Sequence, residues 1–337
     1  MIHGHGDDIY AHEQEIKANF SSNVFYEGCN LILINKLKET LNYINNYPSP
    51  IANELNISAS KFFGINQNSF LFTNGATEAF YLIAQLFKGK NAAIVCPTFA
   101  EYEDACKIHN LEISLVNRKD LNNLIADCVF ICNPNNPDGY AWNIKELWDI
   151  IQLKQNTHFV IDEAYIEFTN STESLVNRID KTDNLTVVKS LTKAFAIPGL
   201  RLGYVVSNQK IIQQLTEIKM PWSVNSLAIN AGKFIYENFE SLIFNLEKLL
   251  KEKNEFSESI NKIKGFKSLN SSTSYFLVEL ENGKAKDLKK YLLEEWQILV
   301  RDATNFKLLN GEYIRVSVQN KIDNQLLLKA LKKWNIL

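Results

Sequence analysis

No cysteine pair at CxxC spacing occurs in this chain, and its five cysteines, Cys29, Cys96, Cys106, Cys128 and Cys132, are an odd number in 337 residues. That pattern does not form a disulfide framework, and reduced thiols in the cytoplasm are the expectation. No segment approaches the roughly 20 consecutive apolar residues of a membrane span, and the opening Met1 to Asp8 lacks the basic and apolar regions of a signal peptide. Charge of one sign is also missing: 36 basic side chains face 38 acidic ones, a net charge of -2. Nothing in that balance advertises a nucleic-acid or membrane-surface partner. Neither GxxxxGK nor GxGxxG occurs, so nucleotide binding has weak support. Nor is there an internal repeat, a low-complexity tract or a Pro-rich linker. His3, His5 and His12 lack the carboxylate spacing of a metal site. No metal is expected there, and the glycine-rich start reads as a substrate-contacting or disordered segment.

What the chain does have is alternation. Short apolar runs at 70–73, 92–96, 113–116, 129–132, 159–162, 186–189 and 204–206 read as seven strands. Amphipathic stretches at 77–87, 101–109 and 144–152 read as helices between them. This predicts a mostly parallel seven-stranded sheet covered on both faces, an α/β architecture. Beyond Trp222 the pattern changes: a long amphipathic stretch over 226–262, strands at 275–279, 298–301 and 313–318, and helices at 285–296 and 324–334. A chain of this length exceeds a single core of about 250–300 residues. Residues 40–225 are therefore expected to form the large domain, with 1–39 and 226–337 as an N-terminal arm and a smaller α+β domain.

The ends of those strands carry the chemistry. The run 186–189 is followed by Ser190-Leu191-Thr192-Lys193 and then Pro198-Gly199-Leu200-Arg201-Leu202-Gly203. Ligands of open α/β sheets sit at such strand ends. A lysine amine forms Schiff bases with carbonyl cofactors, while hydroxyls and an arginine hold phosphate. Together these point to pyridoxal 5′-phosphate, although a lone lysine after a strand is usually a solvated charge.

Four further segments support the same cofactor. Asp162 closes the strand at 159–162, where a carboxylate needs a positive partner such as a protonated pyridine nitrogen; it equally caps a turn. Tyr165 lies three residues on, within reach of a ring oxygen. Asn133-Pro134-Asn135-Asn136-Pro137 is a rigid turn that presents the Asn136 amide. Thr73-Asn74-Gly75-Ala76-Thr77 opens a helix whose free amides suit a phosphate, or serve as a plain cap. Phe99, past the strand ending at Cys96, either stacks on a planar ring or only packs. Arg301 and Arg315 are candidate clamps for a carboxylate or phosphate, or structural ion pairs.

In order and spacing, the NPNNP turn, the Asp162-Glu163-Ala164-Tyr165 run and the Ser190 to Gly203 segment resemble those of fold type I pyridoxal-phosphate enzymes. The branch they resemble is the histidinol-phosphate aminotransferase-like one, over nearly the whole chain. The resemblance implies that Lys193 binds the cofactor aldehyde, Asp162 pairs with the ring nitrogen, and Asn136 and Tyr165 bind the ring oxygen. It also implies that Ser190, Thr192 and Arg201, with Gly75, Ala76 and Thr77, hold the phosphate, and that Phe99 stacks on the ring. Arg315 matches the arginine that takes the substrate α-carboxylate; Arg301, Asn23 and His3 are further substrate contacts. Tyr47 matches a tyrosine that reaches the cofactor phosphate of a neighbouring subunit, which implies a homodimer with shared active sites. Within the branch, His3-Gly4-His5-Gly6, the 19–23 segment, Phe99 to Tyr102 and Met220 to Asn225 resemble the threonine-phosphate decarboxylases of cobalamin biosynthesis. Decarboxylation of L-threonine O-3-phosphate is the implied reaction, and aminotransfer is the alternative. Asp138, where the family usually has threonine, Tyr165, where the decarboxylases also carry phenylalanine, and Gln319, where a basic residue is expected, depart from that pattern.

Overall fold

The structure, a computed structural model, describes residues 6–334. A two-residue strand, β1 (Ala18–Asn19), precedes the main sheet. That sheet is built from β2 (Phe70–Asn74), β3 (Asn91–Cys96), β4 (Glu112–Asn117), β5 (Cys128–Cys132), β6 (His158–Asp162), β7 (Leu185–Ser190) and β8 (Leu202–Ser207). All seven expected strands are present, in the order β2-β8-β7-β6-β5-β3-β4, and only β8 runs against its neighbours.

The apolar runs explain why the sheet is buried on both sides. Phe70 and Phe72 of β2, Ala93 and Val95 of β3, and Val129 and Ile131 of β5 face one core. Leu71, Ile94 and Phe130 face the other, with helix Gly75–Leu86 and helix Glu101–Ile108. Period-two alternation within an almost wholly apolar strand feeds two cores at once.

A second sheet, β12-β13-β10-β9, is antiparallel and comprises β9 (Phe266–Ser268), β10 (Tyr275–Leu280), β12 (Arg301–Asp302) and β13 (Tyr313–Ser317). The remaining strand, β11 (Ile298–Leu299), pairs with β1, tying the N-terminal segment to this part of the chain. The single strand expected at 298–301 is therefore divided between two sheets. The long stretch 226–262 is likewise not one helix but three: Ser226–Glu237, Phe239–Leu242 and Leu246–Asn261. Asn238 leaves helical geometry at φ -131°, and the Asn245 side chain caps the last of the three by accepting from the Lys248 amide at 2.9 Å. Asparagine competes for backbone hydrogen bonds in this way, so apolar periodicity alone overestimates helix length.

Candidate active site

The carboxyl ends of β2, β3, β5, β6 and β7 converge on one cavity. It is lined by Ala76, Thr77, Phe99, Asn136, Asp162, Tyr165, Ser190, Thr192, Lys193 and Arg201, with Phe80, Cys132 and Ala164. Ten of the residues singled out in the sequence thus share one space.

Its two ends differ in chemistry. At the helix start, Gly75 has φ +78°, and a Cβ there would lie 2.4 Å from Arg201 Nη2. Gly203 likewise lets β8 approach the Ala76 amide, which an added Cβ would meet at 2.4 Å. These two glycines permit a guanidinium and free helix amides to share a small cradle. The Ser190 and Thr192 hydroxyls, 2.8 Å apart, complete it.

At the opposite end stands Asp162, buried at the end of β6 and pushed up to about 6 by desolvation. Its Oδ1 accepts from the Ala164 amide at 2.9 Å, and its Oδ2 accepts a short hydrogen bond from Tyr102. Tyr102 was present in the sequence only as part of a matching string; its position one helical turn past Phe99 is the signal that places it here. Lys193 lies between the ends. Burial, then the Arg201 and Arg315 guanidiniums, lower its pKa to about 8. Burial pushes the Tyr165 phenol up to about 12, against the pull of Arg315.

An adjoining cavity, also bordered by Phe99 and Asn136, contains Arg301, Arg315, Asn305, Thr98 and Gly6. Arg301 of β12 stands directly across from Arg315 of β13, and both are buried. Two like charges opposite each other on one sheet face are destabilising, and burial together with Arg315 lowers the Arg301 pKa to about 10. Arg315 donates to Asn136 Oδ1 and, at 2.6 Å, to the Ser21 carbonyl, while its Nε is unpartnered. Arg301 donates to Asn305 Oδ1 at 2.7 Å. Asn23 is buried beside the Tyr165 phenol, whose pKa it helps to keep from rising further. The unpartnered hydroxyl of Thr98 had no sequence signal.

Other expectations fall elsewhere. Tyr47 is 87% exposed, packs against Trp222 with ring centroids 5.4 Å apart and the planes tilted by 47°, and does not line this chain's own cavity. Gln319 hydrogen-bonds with Asn324 at the start of the last helix, outside both cavities. His3 lies outside the described residues. Asp138 fits its turn, accepting from Asn135 Nδ2 at 2.7 Å and pairing with Arg118, so a carboxylate replaces threonine without an unpaired charge.

The profile of the aminotransferase class I and II family matches residues 15–333. The chain belongs to that family. Its fold resembles the crystal structure of L-threonine-O-3-phosphate decarboxylase from Porphyromonas gingivalis with a TM-score of 0.92 and 37% identity, over 95% of this chain and all of that one. The histidinol-phosphate aminotransferase of Caldanaerobacter subterraneus subsp. tengcongensis is 33% identical over 86% of this chain and 85% of its own length. The threonine-phosphate decarboxylase of Salmonella typhimurium is 29% identical over 93% of this chain and 90% of its own. The fold is that of the type I aminotransferases, and the cofactor is pyridoxal 5′-phosphate.

Proposed function

We propose that this family member decarboxylates L-threonine O-3-phosphate to (R)-1-aminopropan-2-yl phosphate. The observation that carries this reading is the facing pair of buried arginines, Arg301 and Arg315. Their mutual repulsion and desolvation are relieved by a ligand with two anionic groups, a carboxylate and a phosphate. The likeness to threonine-phosphate decarboxylases supports it, and with it a role in cobalamin biosynthesis. The reduced thiols support a cytoplasmic location.

The cavity fits the cofactor: the glycine-permitted cradle takes a phosphate, Phe99 borders the ring's place, and Asp162 offers the ring nitrogen a carboxylate. When bound, pyridoxal phosphate supplies an electron sink for bonds at the substrate α-carbon. Lys193, with its lowered pKa, holds the aldehyde and exchanges protons at its Nζ. Asp162, steadied by Tyr102 and the Ala164 amide, keeps a proton at the ring nitrogen. Asn136 and Tyr165 hold the ring oxygen. Arg315 and Arg301 would fix the torsion about the substrate α-carbon and so decide which of its bonds breaks. Asn23 contacts substrate, and His3, outside the described residues, is proposed as a further substrate contact.

The exposed Tyr47 and Trp222, with Leu41, Tyr43, Ile44 and Met220 also exposed, support a homodimer in which Tyr47 reaches the partner's cofactor phosphate. The division into residues 40–225 and 1–39 with 226–337 is part of the same proposal.

Aminotransfer is the second reading, favoured by Tyr165 and by the likeness to histidinol-phosphate aminotransferases. Incubation with L-threonine O-3-phosphate should release carbon dioxide and the amine phosphate without converting the cofactor to its amine form. Conversion to that form with histidinol phosphate, and no gas from threonine phosphate, would overturn the decarboxylase reading.

A further inference from the structure

Beside the phosphate cradle stands an acidic residue that ought to oppose it. Glu78 lies in the first turn of the helix that begins at Gly75, one residue past Thr77. A carboxylate there is favoured by the helix dipole, yet it competes with a phosphate dianion for the same positive end. Glu78 Oε2 accepts from the Asn74 amide and, at 3.0 Å, from the Ser223 hydroxyl. Ser223 in turn accepts from Lys219 Nζ at 2.6 Å. Lys219 is only 8% exposed, and burial lowers its pKa while Glu78 raises it.

We propose that Lys219, acting through Ser223, is a positioning residue that neutralises Glu78 and so allows the Gly75–Thr77 amides to hold the cofactor's phosphate. Two hydrogen bonds to backbone carbonyls bring the segment to this place. The Trp222 amide donates to Pro50 O at 2.9 Å, and Asn225 Nδ2 donates to Leu200 O at 3.0 Å, next to Arg201. Trp222 itself adopts a left-handed φ of +58°. A bulky side chain in that region is strained, and here the strained turn aims Ser223 at Glu78. The segment 220–225 thereby gains a role beyond its resemblance to a family string.

The proposal rests on the cradle being the phosphate site, and its test separates the two. Binding of pyridoxal phosphate and of phosphate-free pyridoxal is measured by fluorescence quenching for the wild type and for Lys219→Met, Glu78→Gln, the double variant and Arg201→Met. Lys219→Met should weaken pyridoxal phosphate about tenfold, as expected for one partly screened charge, and leave pyridoxal unchanged. The double variant should regain wild-type affinity, because the glutamine keeps an acceptor for Asn74 and Ser223. Equal weakening of both compounds, or no recovery in the double variant, would make Lys219 merely structural. If Lys219→Met has no effect while Arg201→Met selectively weakens pyridoxal phosphate, this proposal fails alone. If neither variant discriminates between the two compounds, the phosphate site itself is misplaced.

Discussion

Two lysines four residues apart, Lys189 and Lys193, meet opposite fates. Lys189, on β7, is 4% exposed and lies 3.0 Å from Glu167 and 3.9 Å from Glu163. Glu163 is fixed in turn, accepting from the Leu175 amide at 2.7 Å and from Ser174. Among the described residues, no carboxylate comes within ion-pair distance of Lys193, and after burial its largest electrostatic influences are the Arg201 and Arg315 guanidiniums, which outweigh Asp7 and Asp162. A buried charge matched by carboxylates holds structure, whereas one that is desolvated and feels like charge more strongly than unlike yields its proton more readily. Neither residue type nor strand position separates the two; only their surroundings do.

The largest expected effect breaks the reactive half of this comparison. Lys193→Ala should lower turnover at least about 10³-fold while leaving the melting temperature of the cofactor-free protein within a few degrees, as steady-state assay and calorimetry would show. Lys189→Met should do the reverse. It leaves Glu163 and Glu167 buried without a cation and should cost about 3–5 kcal/mol of stability, read by urea unfolding, with turnover per folded molecule little changed. Asp162→Asn removes the charge proposed to face the ring nitrogen and should reduce turnover about 10²-fold. Tyr102→Phe, which deletes only the hydroxyl that donates to Asp162, should cost about tenfold.

The pH dependence sharpens the contrast. A lysine amine reacts with an aldehyde only when neutral. With the Lys193 pKa lowered from 10.5 to about 8, cofactor capture should rise with pH through a midpoint near 8. Stopped-flow absorbance gives that midpoint, and a value near 10.5 would show that burial and the arginines do not act on this amine.

Much of this was legible in the chain. Each strand of the main sheet is a short apolar run bounded by polar or turn residues, and the residues that line the cavity follow strand ends directly, so local pattern located both. The facing of Arg301 and Arg315 was not legible, because it depends on the pairing register of two strands separated by a loop. Nor was the link from Lys219 through Ser223 to Glu78, which joins positions 145 residues apart between Ser223 and Glu78. The break at Asn238 escaped the periodicity for a local reason, since polar positions are expected on any amphipathic helix. Asp138 was a departure in the sequence and a satisfied ion pair in the fold, because Arg118 arrives from a distant turn.

The most direct test of the distinction between the two lysines is chemical. The protein loaded with pyridoxal phosphate is reduced with borohydride, digested and mapped by mass spectrometry. The pyridoxyl label is expected on Lys193 and not on Lys189; a label on Lys189 or another lysine, or none at all, would contradict the account.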